Sequence, residues 1–368
     1  ALMAESLRIW PELDQRVGHS TGFQKCGIVF TNLTDAETEY SVNWLKYIEG
    51  MDVEARILTP KEYLELFPGT TLPVKSGLYT PGDAHAEPTK AAPAIALGAR
   101  AKGAHILTEC AVRGLDTAAG RVSGVFTERG RIACSSVVLA GGAWSGYFLG
   151  NLDIRLPQLS VLNSVMHTAP LDGPTATVWT RPFAARKRED GGYTIASGDA
   201  NIADVLPDSF RFLFDYIPVL LHEWKAVKVR FSTRFFEALR FPRHWRMDEE
   251  TAFEYFRNLD PVPSRKILDK VFAAAGEIMP VFRQARVVKR WGGLIDTVPD
   301  AVPVISGIAE VPGLFVATGF SGHGFGIGPA AGRLAANLVT GEKPIVDPTP
   351  FRFTRFSDGS KIHIEVGF

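Results

Sequence analysis

Apolar and polar positions along the chain repeat with two periods, and the changes of period set out the elements. Leu2, Leu7, Ile9, Trp10 and Leu13 recur at helical spacing up to Gly18, whereas CGIVF at 26–30 is a short apolar run of strand type. A helix is expected from about Asp35, capped by Thr34, with Ala36, Tyr40, Val42, Leu45 and Ile48 as its apolar positions. TPKEYLELF at 59–67 reads as a second capped helix, ended by Pro68 and Gly69, and an alanine-rich helix runs from Ala91 to Lys102. Strand candidates follow at 105–108, 111–115, 122–127 and 136–140, the last opening into GGAWSG at 141–146. Helices alternating with buried strands indicate an α/β layer with parallel pairing, and the strands between 111 and 138 a small antiparallel flap on it.

Past residue 151 the pattern changes. Residues 160–169 and 193–197 read as strands of a mixed sheet. From 206 to 280 the chain is rich in Phe, Trp, Arg and Pro, with Phe210, Phe212, Leu213, Phe214, Tyr216, Ile217, Leu220, Leu221 and Trp224 followed by Lys225, Lys228, Arg230 and Arg234. This stretch reads as an inserted helical subdomain, and the α/β pattern resumes at Val287.

GLFVA at 313–317, bounded by Pro312, is a buried strand; GFSGHGFGIGPAAG occupies 319–332; Ala330, Ala331, Leu334, Ala335, Leu338 and Val339 then recur at helical spacing up to Gly341. The order is strand, glycine-rich turn, and a helix expected from near Gly328. Glycines let backbone approach something flat or anionic, and the helix start aims unpaired N–H groups and a positive dipole end at it. The spacing alone is met equally by a β–α turn without a ligand. Two further stretches carry the same character. SSVVLAGGAWS at 135–145 is a buried strand opening into small residues, the edge at which ligands of open α/β sheets bind. WGGLIDTVPDAVPVI at 291–305 is the other.

Composition narrows the class. The 368 residues suffice for two domains, with 46% hydrophobic and 22% charged residues, as in soluble globular proteins. Lys+Arg 40 balances Asp+Glu 40, so no basic field points to nucleic acid. Cys26, Cys110 and Cys134 are too few and scattered for a disulfide framework or a metal site, and a reducing compartment is the simplest inference. No run approaches the roughly 20 apolar residues of a spanning helix, and no signal-peptide pattern opens the chain.

The 319–332, 135–145 and 291–305 stretches together resemble the D-amino-acid oxidase superfamily: glycine and sarcosine oxidases, amino-acid dehydrogenases and L-amino-acid deaminases. The resemblance covers residues 1–356 and implies FAD as cofactor. It implies an α/β (mixed α+β) fold in which a Rossmann-like FAD-binding domain (1–20, 81–150 and 287–345) is interleaved with a mixed-sheet substrate domain (21–80 and 151–286). The latter carries the helical insertion of about 206–280, and 346–368 form a tail. Cofactor contacts are implied at Val112, Ala140, Gly141, Gly142, Trp144, Gly293, Gly319, Ser321, Gly322, Gly324, Phe325, Gly326 and Ile327, with no metal. The family's opening strand, G-x-G-x-x-G turn and helix do not precede the helix at residue 1, so the resemblance implies weak FAD retention without that portion. GDAHAEP at 82–88 is similar to the segment leading into the helix under the adenine, with Asp83 and His85 as turn-formers.

The reaction implied is oxidation of the C–N bond of an amino acid or close derivative, giving an imine and then keto acid and ammonia. Relatives of the glycine oxidase branch place an arginine after the Gly-Leu, where this chain has Ile295. Either the carboxylate anchor lies elsewhere or the substrate lacks one; the resemblance to the L-amino-acid deaminases implies an anchor at Arg186, in RKREDGGY at 186–193, whose fork matches a carboxylate, with Arg181 as the reserve. Phe320 and His323 are expected as active-site walls, and Ser164 as facing the ring. Three alternatives stay open: a non-catalytic or assembly-dependent flavoprotein subunit of a multi-chain dehydrogenase, an oxidase of an N-methyl amine, and a membrane-surface or partner contact through 206–280. A cytoplasmic protein, peripheral at the inner face of a bacterial membrane, is the corresponding location.

Overall fold

The computed structural model describes residues 1–51, 53–223 and 227–361. Trp224 and Lys225 of the helical stretch, and the last residues of the tail, lie outside them. The opening helix is Leu2–Val17, closed by Gly18 at φ 73°, a left-handed conformation that glycine adopts without a Cβ penalty. Helices Asp35–Tyr47 and Pro60–Leu66 both start in capping boxes, Thr34 with Glu37 and Thr59 with Glu62. The first of these does not bury the expected apolar positions: Tyr40 and Val42 are exposed. It docks through Ser41 and Thr38 instead, because Asn32 Nδ2 donates to Ser41 Oγ and Ser76 Oγ, both at 2.9 Å, and Thr38 Oγ1 lies 2.8 Å from Ser76 Oγ. A satisfied polar seam holds this helix where hydrophobic periodicity does not.

Among the described residues, ten strands form the large sheet. Their order is Val227–Arg230, Asn201–Asp204, Leu159–Thr168, Tyr193–Ala196, Ala184–Lys187, Thr177–Trp179, Ile28–Asn32, Ser76–Thr80 and Arg56–Leu58. Val287–Thr297 runs antiparallel along Leu159–Thr168, with Leu159 opposite Thr297 and His167 opposite Lys289. Register puts Met166, Ile195, Ala185, Val178 and Val29 in one row, and all are buried. They pack with Leu268, Val271 and Ala275 of helix Arg265–Ile278, whose start is capped by Ser264 Oγ. Each of the larger of these side chains contributes about 1.5–3 kcal/mol on burial. The sheet is mixed, since Thr177–Trp179 runs parallel to Ile28–Asn32 while most other pairs are antiparallel.

Three smaller sheets stand apart from it: the pair Gln24–Lys25 and Ala84–His85; Val304–Gly307, Leu314–Thr318 and Val137–Leu139; and the flap of Val112–Ala118, Arg121–Thr127 and Gly130–Ala133. The expected strand at 105–108 is not formed. A strand exists only with a ladder partner, and none among the described residues pairs with this exposed stretch. Helix Gly324–Thr340 begins four residues before the expected Gly328 and packs on Leu2–Val17, where Trp10 Nε1 donates to Gly326 O at 3.0 Å and Ala330 N donates to Ser6 Oγ at 3.1 Å.

Within 206–263 short helices are joined by one strand, Val227–Arg230, added parallel to Asn201–Asp204. Phe212, Tyr216 and Val219 dock it on Leu159, and Tyr216 Oη donates to Thr297 O at 2.6 Å. An aromatic cluster of Tyr147, Trp245, Phe253 and Phe256 gathers around Trp144, tying residues 241–256 to the GGAWSG turn. Phe210, Phe214, Leu221, Phe231 and Phe236 remain exposed. No helix among the described residues is long and apolar enough to cross a membrane.

Candidate functional site

The three glycine-bearing stretches converge on the end of strand Val287–Thr297. Gly319 N donates to Asp296 Oδ2 at 2.7 Å, and Ser321 N to Asp296 O at 3.0 Å. Gly319 and Gly322 sit at φ 69° and 88°, and Ser321 between them at φ 49°, so the loop turns sharply beside the strand. Ser321 is held there because its hydroxyl donates to Gly319 O and accepts from Val298 N. The GGAWSG turn is joined to the same point by Gln158. Its Nε2 lies within 3.1 Å of Gly142 O, Asp296 Oδ2 and Thr318 Oγ1, and its Oε1 accepts from Gly146 N at 2.7 Å. Gln158, Thr318 and Asp296 thus bolt the two glycine turns to one strand end. None of the three was a sequence candidate, since nothing local marks residues that meet across 138 positions.

Side chains alternate between faces of a strand, so register decides what looks where. Asn163 stands opposite Gly293, Val161 opposite Ile295, and Val165 opposite Trp291, on one face. Through Val165↔Ala196, His167↔Thr194 and Thr194↔Arg186 the same face carries Arg186. It is only half buried, and a Cβ built on Gly293 meets nothing within 4 Å. A Cβ on Gly322 would meet the Ile295 side chain at 3.8 Å, so the glycine loop borders this open face.

Ser164 falls on the opposite face with Leu162 and Met166, contrary to the expectation that it faces a ring. It is 3% exposed, and its hydroxyl accepts from Ser264 N at 2.9 Å, under helix Arg265–Ile278. The strand's period of two makes the choice, and Asn163 takes the open side. Arg186 is on the open face but roughly 16 Å from Asn163 by strand spacing and rise. Its guanidinium is committed to Glu87, Nη1 to Oε1 at 2.9 Å and Nη2 to Oε2 at 3.4 Å. Arg181 pairs at the surface with Glu37 at 3.0 Å.

Of the other candidates, His323 precedes helix Gly324–Thr340 with an exposed ring, and the helix start has no side-chain cap. The first-turn N–H groups of Gly324, Phe325 and Gly326 therefore remain available as donors. Phe325 turns toward Trp10, with ring centroids at 5.5 Å, while Ile327 and Phe320 pack into the core under that helix. Trp144 enters the aromatic cluster, Val112 starts the flap, and Ala140 and Gly141 are exposed at the end of Val137–Leu139. A cavity of about 810 Å³, lined by Trp144, Leu162, Leu294 and the paired arginines 230 and 234, lies on the reverse face. The open face is the better candidate because the glycine loop borders it.

Glu87 ties residues 82–88 to the sheet. Burial pushes its carboxyl up, but the hydrogen bond and charge of Arg186, with help from Glu189 N–H and Arg188, outweigh this and leave it below the usual range. Beside it, Cys26 Sγ lies 3.2 Å from His85 Nδ1, and burial followed by the Arg186 charge lowers the His85 pKa. A carboxylate held below its unfolded value stabilises the fold above that value, and the contribution disappears as pH falls through the lowered one. Glu87→Gln is therefore expected to lower stability by about 1–3 kcal/mol at neutral pH. Thermal melts from pH 7 into acid should show the gap to wild type closing, and a gap unchanged in acid would contradict the assignment.

Comparison with known proteins adds the following. The family model described as DAO, FAD dependent oxidoreductase, matches residues 1–338. Sarcosine oxidase subunit beta of Arthrobacter sp is 24% identical over 97% of this chain and 77% of that protein. Glycine oxidase of Pseudomonas aeruginosa is 27% identical over 65% of this chain, which spans only 51% of it. L-amino acid deaminase from Proteus myxofaciens, solved in complex with anthranilate, matches with a TM-score of 0.92 and 30% identity, over 96% of this chain and 80% of that one.

Proposed function

Since the chain belongs to the DAO family of FAD-dependent oxidoreductases, we propose that it oxidises the C–N bond of an amino acid or an N-methyl derivative. The residues fit the cofactor on independent grounds. The uncapped first turn of Gly324–Thr340 offers N–H donors and a positive dipole end to an electron-rich ring edge. The open face at Gly293 leaves room for a flat group, and the Asp296 network fixes both glycine turns around it. Bound FAD would supply the acceptor for the hydride that leaves the substrate carbon.

This chain's residues act chiefly by positioning. Ile295 and Trp291 wall the open face, so the substrate carbon is oriented by apolar contact. His323, exposed at the helix start, closes the outer side. Loss of hydride and an amine proton gives an imine; water then yields keto acid and ammonia, or an aldehyde from an N-methyl group. Arg186, locked to Glu87, holds the 82–88 segment on the sheet. The exposed apolar side chains of 206–239 suit contact with a membrane surface or partner subunit, in keeping with a peripheral location.

The observation carrying this reading is the open face around Gly293 beside the glycine loop. The test is anaerobic addition of L-amino acids, D-amino acids and N-methylglycine, in turn, to the FAD-loaded protein. Bleaching of the flavin bands by one class is the expected result, and FAD that stays oxidised with all three would overturn it.

A further inference from the structure

Three adjacent strands bring Asn201, Asn163 and Gly293 into one row on the open face, since Leu162 stands opposite Ile202 and Asn163 opposite Gly293. Asn163 Nδ2 donates to Asn201 Oδ1 at 2.9 Å. That bond uses one of four amide N–H groups and leaves three, along with the Asn163 carbonyl. Beside the pair is the open space over Gly293; the next residue pairs along the strands on this face are Val161 with Ile295 and Val165 with Trp291, all apolar. The row holds no formal charge; of the cations on this face, Lys289 is four residues along the strand from Gly293, opposite His167, and Arg186 is two strands away in a bidentate pair with Glu87.

We infer that Asn163 and Asn201 form the polar subsite that receives the carbonyl end of the substrate, through neutral amide donors in place of a cation. This rests on the amine-oxidation reading above and specifies the substrate class: amino-acid carboxamides and esters are accepted as well as the free acids. A guanidinium discriminates a carboxylate from a neutral carbonyl by its charge. An amide pair sees little difference, because both ligands present acceptor oxygens to the same N–H groups.

The test is calorimetric titration of the FAD-loaded protein with 2-aminobenzoate and 2-aminobenzamide, which differ at the carboxylate alone. Wild type should bind both with Kd values within about tenfold, a difference of about 1.4 kcal/mol. Asn163→Asp places an anion in the row and should weaken 2-aminobenzoate at least about tenfold while moving 2-aminobenzamide less than about threefold. Asn201→Asp repeats the test from the neighbouring strand should the first variant fail to fold. A wild-type preference for the acid above about a hundredfold, no binding of either compound, or equal shifts of both ligands in the variants would overturn the assignment. Binding does not depend on turnover. Flavin that no amine bleaches would sink the amine-oxidation reading, while the titrations would still decide the role of the amide pair.

Discussion

Replacing Asp296 by alanine should weaken FAD binding by about tenfold or more. The carboxylate accepts from Gly319 N, Gln158 Nε2 and Thr318 Oγ1. Removing it strands the Gly319 backbone donor in the loop, at about 1–3 kcal/mol for a group left unpaired, while Gln158 Nε2 keeps Gly142 O and Thr318 Oγ1. That loss corresponds to about tenfold, since every 1.4 kcal/mol is tenfold in affinity. The cost falls on binding because the network holds two turns in the one arrangement that leaves the open face clear. Fluorescence titration of the apoprotein with FAD reads the effect, and Asp296→Asn, which keeps an acceptor oxygen, should recover much of it. An Asp296→Ala protein that binds FAD within threefold of wild type would show that the turns hold themselves in place.

The second large effect concerns stability alone. Arg355 and Asp300 are both buried, with Nε to Oδ2 at 2.7 Å and Nη2 to Oδ1 at 3.1 Å. Arg355 also donates to Val302 O and Arg352 O, so the fork pins the C-terminal turns onto the segment that follows the site strand. Arg355→Met leaves a buried carboxylate without its partner, which costs on the order of 3–5 kcal/mol. That is a large share of the 5–15 kcal/mol typical of folded proteins. Arg355→Lys should recover only part of the loss, since an ammonium cannot make the bidentate contact. Removing both charges, with Met at 355 and Leu at 300, should be milder than the single change. Urea unfolding separates these outcomes, and a single Arg355→Met variant that unfolds with wild type would refute the account.

How much of this was legible in the sequence follows from the range of each interaction. Thr34 and Thr59 announce their helices because a capping box closes within four residues. Gly18 and Gly341 end theirs for an equally local reason, at φ 73° and 72°. The start of the last helix was misjudged because glycine disfavours helices, whereas here packing on Trp10 and Met3 carries Gly324 and Gly326 into the first turn. The polar docking of Asp35–Tyr47 was hidden for a similar reason, since its partners lie on two strands. The glycine-bearing segments could be found as words in the sequence. The side chains that arrange them could not: Ser164 and Asn163 are neighbours, and only the pairing with Val287–Thr297 and the position of the long helix assign one to the interior and the other to the open face.

That alternation bears on how such a protein changes over generations. The buried residues of the central strands, Leu162, Met166 and Ile195, keep the chain folded, and their immediate neighbours stand on the open face. Stability and selectivity are thus written on interleaved letters of the same words. A lineage can exchange every second residue to take a new substrate while leaving the letters between them, and with them the fold, untouched.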